Sequence, residues 1–206
     1  MARSAAVDTD NGLARCDHLR SLSVVRVVAG DLRGRRIESP TGDATRPTTD
    51  KVREAVFNAL GSLDLVDGAR VLDLFAGTGA MGIEALSRGA AHCTFVESDR
   101  RALEVLRNNL RTLGLEQRST VVSGDATSRM VSAHAAGLVI ADPPYGFDDW
   151  SSVVQNVPTD AFVVIESGSP ISAPDGWETR REKRYGRSVV TFLTHGSREE
   201  GTVEPS

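Results

Sequence analysis

Residues 70–82 read RVLDLFAGTGAMG. The opening six form a short apolar run that stops at Gly77, and Gly77, Gly79 and Gly82 then follow in GxGxxG spacing. This pattern predicts a strand over 70–75, a tight turn over 76–79, and a helix over 80–88 with Ile83 and Leu86 facing inward. Glycines in such a turn let a ligand approach the backbone closely, and the helix behind it offers free N–H groups. Glu97 lies 20 residues beyond Gly77, at the end of a second predicted strand, 93–97. A carboxylate there can accept hydrogen bonds from two ribose hydroxyls, so the unit reads as a nucleoside site. Its cofactor class stays open at this point. NAD would lay a pyrophosphate over the helix start, whereas S-adenosylmethionine would place its amino-acid end there.

Downstream, Leu103, Leu106, Leu110 and Leu113 recur at spacings of three and four, which predicts a helix over 100–113. Strand 119–123 and a helix near 126–135 follow. Runs 137–141 (GLVIA) and 161–166 (AFVVIE) are apolar without alternation, as strands buried on both faces are. Segments 177–184 and 187–194 read as two strands joined at Tyr185-Gly186. Alternating β and α at this spacing implies an α/β fold, a doubly wound Rossmann-like sheet, mostly parallel with an antiparallel C-terminal edge hairpin. Upstream, Thr48 or Thr49 can cap a helix whose Val52, Val56, Ala59 and Leu60 share one stripe. Before it, 24–39 reads as a small β-hairpin, with loop marked by Pro40, Gly42 and Pro47. The expected division is a disordered tail over 1–23, a basic hairpin arm over 24–47, one catalytic domain over 48–196, and a second tail over 197–206.

Length and composition agree with one ordinary domain: 206 residues, 40% hydrophobic and 25% charged, with only 5% aromatic. Aliphatic side chains and alanine must therefore fill the core. An apolar run of about 18 residues is missing, and the first twenty residues hold Asp8, Asp10 and Asp17, which speaks against a membrane span or a secretory leader. Cys16 and Cys93 form no metal knuckle, and His18, His92, His134 and His195 show no ligand spacing, so no metal is expected. A reduced cytoplasmic setting and a monomer are the simplest expectations. The net charge of −4 hides two basic segments. Residues 21–53 carry Arg26, Arg33, Arg35, Arg36, Arg46, Lys51 and Arg53 against four acids, and residues 177–190 carry Arg180, Arg181, Lys183, Arg184 and Arg187 against two. A mildly acidic chain can thus present a basic face to a polyanion.

The chemistry sits at Asp142-Pro143-Pro144-Tyr145, directly after the predicted strand 137–141. In a doubly wound sheet the carboxyl ends of the strands form the ligand crevice. Two prolines stiffen the loop. The Asp142 carboxylate and the Pro143 carbonyl can accept from one amino group, and Tyr145 offers a flat face to a base. An exocyclic nucleobase amine is a poor nucleophile; two acceptors on its hydrogens raise its electron density and aim it at an electrophile. Trp150, just beyond, could cover the site or simply pack. A hydride-relay set, which an NAD-dependent oxidoreductase would need, is not found beside the crevice. An intact loop pair argues against a catalytically silent RNA-binding module.

These residues resemble the S-adenosylmethionine-dependent amino-methyltransferases, and more closely the RsmD family of bacterial small-subunit rRNA guanine-N2 methyltransferases. The likeness runs over roughly 24–194. It rests on Arg26-Val27-Val28-Ala29-Gly30 with Arg33-Gly34-Arg35, on Arg46-Pro47-Thr48-Thr49-Asp50-Lys51-Val52-Arg53-Glu54, on the glycine turn, on Glu97 and Asp99, and on Asp142–Tyr145. The resemblance implies S-adenosylmethionine as cofactor and one guanine of 16S rRNA, 966 in customary rRNA numbering, as target. It implies cofactor contacts at Asp73, Phe75, Gly77, Gly79, Glu97, Ser98, Asp125, Ala126 and Asp142, with Asp125 reading the adenine amino group. Asp142, Pro143 and Tyr145 become the catalytic set, and Arg26, Arg33, Arg35, Arg36, Arg46, Lys51, Arg53 and Arg184 the RNA contacts. An amino-methyltransferase of tRNA or DNA is the rival within the class, although a DNA enzyme would more often carry a separate target-recognition domain.

Overall fold

The computed structural model describes residues 23–39, 47–128, 136–144 and 146–196. Tyr145 and Arg46 lie outside the described residues, as do 1–22, 197–206 and most of the helix expected near 126–135. Two sheets are present. β1 (Ser23–Arg26) and β2 (Arg36–Ser39) form an antiparallel ribbon, the expected arm. A seven-stranded sheet holds β3 (Arg70–Leu74), β4 (His92–Glu97), β5 (Ser119–Ser123), β6 (Leu138–Ala141), β7 (Phe162–Ser167), β8 (Trp177–Tyr185) and β9 (Ser188–His195). Its order is β5-β4-β3-β6-β7-β9-β8, parallel except where β9 pairs with β7 and β8. The chain winds outward from β3 through β4 to β5, then returns to the other side of β3 at β6. The switch point therefore falls between β3 and β6, where a doubly wound sheet opens its crevice.

Helices cover both faces. On one, α1 (Pro47–Gly61), α2 (Ala80–Ser87) and α3 (Arg100–Leu113) pack with the arm over Phe95, Leu138 and Ile140. On the other, α4 (Trp150–Val154) packs over Leu74, Val139 and Ile165. α3 matches the expected span. Asp99 caps it, accepting from Ala102 N at 2.8 Å, and Gly114 closes it at φ 71°. α1 begins at Pro47, earlier than the loop reading of that residue allowed; proline suits a first helical turn, where its missing N–H has no partner to lose. α4 was not expected. Asp149 caps it by accepting from Ser152 N at 3.2 Å, and it provides the crossover between β6 and β7. Trp150 is buried in the core and meets Phe147 edge-on, so it packs behind that ring.

The arm is fastened to α2 through Glu84. That carboxylate is fully buried; Oε2 accepts from Val28 N at 2.8 Å and Oε1 from Ala29 N at 3.0 Å. Arg88 pairs with it at 2.7 Å and Arg53 at 3.5 Å. Arg53 also donates to the Arg26 carbonyl at 2.6 Å and to Asp50 at 3.0 Å, and is 3% exposed. Its expected role as an RNA contact is thereby corrected. Its guanidinium faces inward, because the α1 face next to the apolar stripe meets the buried carboxylate of α2.

Candidate active site

The glycine turn takes the shape its sequence demands. Gly79 ends the turn at φ 88°, where a side chain is strained, and a Cβ there would stand 2.5 Å from Leu106 Cδ1, which would have to move. Gly77 sits at φ 54° and faces open space: a Cβ there would meet nothing closer than the Phe75 carbonyl at 4.0 Å. Phe75 itself adopts φ 60°. A bulky residue held in the left-handed region costs about 1–3 kcal/mol, and such strain gathers at functional sites. Its ring meets Phe147 edge-on at 5.0 Å, and Phe147 meets Trp150 at 4.9 Å.

Glu97 reaches from the end of β4 into this turn. Its Oε2 accepts from Gly77 N at 2.7 Å, while Oε1 accepts from Ser98 N at 2.8 Å and Asp99 N at 2.7 Å. A carboxylate offers about four acceptor positions, so one is left for a ligand hydroxyl. The three amides fix the group before any ligand arrives. Beside it opens a cavity of about 480 Å³, walled by Phe75, Glu97, Ser98, Asp125, Ala126 and Phe147. That volume suits a cofactor-sized molecule. Asp125 is exposed toward it and closes its own turn by accepting from Thr127 N at 2.8 Å and Thr127 Oγ1 at 2.7 Å; these bonds hold its pKa below the ordinary carboxylate value. A second cavity, about 610 Å³, lies across Gly146 and Phe147, toward Ser167–Asp175.

Asp73, Asp142 and Glu166 stand together at the strand ends. Asp73 is in register with Ile140, and Ile140 with Val164. Glu166 comes two residues after Val164 in β7, on the face of Asp73, and Asp142 lies just past the end of β6, where the charges of Glu166 and Asp73 act on it. Asp142 is open to the crevice in front, but protein surrounds it on the other sides. That enclosure, then the Glu166 charge, then Asp73, raise its pKa well above the usual carboxylate value. Burial also raises Glu166, against the pull of a hydrogen bond from Ser188.

Asp73 is 1% exposed and accepts from Gly82 N at 2.8 Å, so it braces the first turn of α2 rather than lining the cavity. Burial, offset in part by that bond and aided by Glu97, lifts its pKa from 3.8 to about 7. The native state then holds a proton that the unfolded chain releases. The contribution of Asp73 to stability is greatest below about pH 4 and falls as pH rises toward 7, by at most about 4 kcal/mol at ~1.4 kcal/mol per pKa unit. Asp73→Asn is expected to remove this slope from the pH dependence of denaturant midpoints. A slope unchanged in the variant would assign it to another group.

Five residues expected to hold cofactor therefore wall one cavity: Phe75, Glu97, Ser98, Asp125 and Ala126. Asp142 and half-buried Pro143 stand beside it at the end of β6. Phe147, Thr127 and Glu166 were missed; Phe147 had one faint signal, an aromatic residue in the polar run GFDDW. Of the basic residues, Arg26, Arg33, Arg35, Arg36 and Lys51 are exposed. Arg184 pairs with Val189, and its partners place it on the α4 side of the sheet. Arg181 and Lys183, opposite Phe192 and Val190, share the side of the arm. Among the described residues no group of His, Cys, Asp and Glu could hold a metal ion, and no helix is long and apolar enough to cross a membrane.

A family model described as conserved hypothetical protein 95 matches residues 25–194. Ribosomal RNA small subunit methyltransferase D of Escherichia coli is 36% identical over 174 residues, 79% of this chain and 86% of that protein. A candidate rRNA methyltransferase of Bacillus subtilis is 38% identical over 184 residues, 82% and 97% of the two chains. Among solved structures, a candidate methyltransferase of Escherichia coli superposes with TM-score 0.73 at 33% identity, covering 84% of this chain and 98% of that one.

Proposed function

Since the chain belongs to the conserved hypothetical protein 95 family, the RsmD family of rRNA methyltransferases, we propose that it methylates the exocyclic N2 amine of a guanine in small-subunit rRNA, at 16S position 966, using S-adenosylmethionine. The observation that carries this reading is the Asp142-Pro143-Pro144 loop at the switch point, next to a cavity anchored by Glu97. Electrostatics favour this cofactor over a dinucleotide. The amides of Gly77 and Gly82 are already bonded to Glu97 and Asp73. A pyrophosphate would meet carboxylates where it needs free N–H groups, whereas a sulfonium and an ammonium are attracted.

Bound there, S-adenosylmethionine would supply a methyl group activated by the positive sulfur. The protein does the rest. Glu97 and Asp125 hold the nucleoside, and the Phe75 and Phe147 rings wall the cavity. Asp142 and the Pro143 carbonyl accept from the target amine, turn its lone pair toward the methyl, and oppose the positive charge that grows on nitrogen. Once alkylated, the nitrogen gives up a proton to water in the open crevice, because a methylated ammonium on a guanine is strongly acidic. The guanine must leave its stack to reach this loop, which is easiest at an unpaired base.

Mass mapping of rRNA from a deletion strain, before and after complementation, tests the assignment. The mark should vanish and return at one guanine; an unchanged map would refute it. For the cofactor, Glu97→Ala and Asp125→Ala are each expected to weaken S-adenosylhomocysteine binding by about 1–3 kcal/mol in calorimetry. Glu97→Ala should cost more, since it also releases Gly77. Unchanged affinity in both variants, or tighter binding of NADH, would exclude the cofactor assignment.

The arm and the arm-side cations of β8 form the proposed RNA face. Phosphate contacts make affinity fall with salt, with a log–log slope of about −0.7 to −0.9 per phosphate neutralised. Replacing Arg33, Arg35 and Arg36 with alanine is expected to flatten that slope and to leave S-adenosylhomocysteine binding intact. Wild-type RNA binding by the triple variant at every salt concentration would reduce the arm to a structural element.

A further inference from the structure

Asn109 touches both the arm and the glycine turn. It lies on α3, four residues before the helix ends, and is 2% exposed. Its Oδ1 accepts from Glu38 N at 2.9 Å. Its Nδ2 donates to the Glu38 carbonyl and to the Thr78 carbonyl, both at 3.0 Å. Only one orientation of the amide satisfies these three partners, because one is a donor and two are acceptors. Neighbouring Asn108 donates to the Glu38 carboxylate at 3.1 Å. Glu38 is thus gripped at its N–H, its carbonyl and its side chain. It sits in β2, two residues beyond Arg36, on the same ribbon face. Thr78 sits between the two positive-φ glycines, Gly77 and Gly79.

We propose that Asn109 is a positioning residue that links RNA binding by the arm to cofactor occupancy of the glycine turn. The inference rests on the reading of the two sites given above and adds that they are not independent. A ligand seated against Gly77 restricts Thr78. Through Asn109 that restriction reaches Glu38 and fixes β2, so RNA bound second has less ordering left to do. The Glu84 hub holds the arm to the body of α2, so motion of β2 is passed to the turn and is not lost in swinging of the whole ribbon. Thermodynamic linkage requires the effect to be reciprocal.

The test uses the full chain, a small-subunit rRNA fragment and S-adenosylhomocysteine. In the wild type, each ligand should tighten the other by the same factor, about 5-fold or more. In Asn109→Ser, whose side chain reaches neither partner set, each ligand should still bind alone, while the factor falls to about one. A wild-type factor of one with both ligands binding would overturn the linkage and leave the assignment of the two sites standing. Retention of the full factor by Asn109→Ser would overturn it equally. If the wild type binds neither ligand, the underlying reading fails and the inference with it. Should Asn109→Ser not fold by circular dichroism, hydrogen exchange in the wild type decides. Slowing of the Glu38 amide on addition of S-adenosylhomocysteine alone supports the link, and an unchanged rate overturns it.

Discussion

Asp142→Ala is expected to slow methyl transfer by orders of magnitude while cofactor affinity stays close to that of the wild type. The residue stands in the crevice at the end of β6, next to the cavity and not in its wall. In the proposed mechanism its partner is the reacting amine, where positive charge develops in the transition state, so the loss should fall on kcat. Removing one such preorganised group costs about 10²–10³-fold. Single-turnover methylation set against S-adenosylhomocysteine calorimetry separates the two effects, and wild-type turnover in the variant would refute the mechanism. The pH dependence carries a second signature. Asp142 accepts most strongly when ionised, and its pKa is raised by enclosure, by Glu166 and by Asp73. Activity should therefore fall on the acid side at a pH above the ordinary carboxylate range. Glu166→Gln removes one of the raising charges, so that limb should move to lower pH.

Glu84→Ala is expected to give the largest loss of stability. The side chain is fully buried, carries two arm amides, and pairs with two arginines. Taking away one partner of a buried ion pair costs about 3–5 kcal/mol, because the remaining charge has nothing to replace it. Here Arg53 and Arg88 are both left, and Val28 and Ala29 lose their acceptors. Chemical denaturation measures the effect. A loss below about 1 kcal/mol would mean that the arm does not depend on this hub. Glu84→Gln keeps an acceptor and should fall between.

The sequence was most legible where one local rule governs. The glycine turn, α3 with its Asp99 cap, and the apolar strands flanking the switch point each follow from period, cap or composition. The carboxyl ends of β3, β4 and β6 then had to converge, which brought Phe75, Glu97 and Asp142 together. Arg53 shows the limit. It looks like its neighbour Lys51 in a basic stretch, and only the position of Glu84, 31 residues away on another helix, turns it inward. Phe147, Glu166 and Asn109 are hidden for the same reason, since each matters through a partner distant in the chain. The short α4 escaped because one turn of helix carries too little periodicity to announce itself.

β8 closes one end of the sheet, and among the described residues no strand lies beside its outer backbone N–H and C=O groups. Such a row is a ready template for another chain, and a flat apolar edge would recruit copies of itself into aggregates. This edge is neither flat nor apolar. Its register shifts between Thr179 and Arg181, and every residue from Glu178 to Arg184 is exposed, four of them cationic. A second copy docking edge to edge would bring two strands of net positive charge together across an irregular register. The positive charge that disfavours pairing with a second copy is the charge that a polyanion would neutralise, so in the proposed RNA face one strand would both oppose edge-to-edge pairing and offer its cations to nucleic acid.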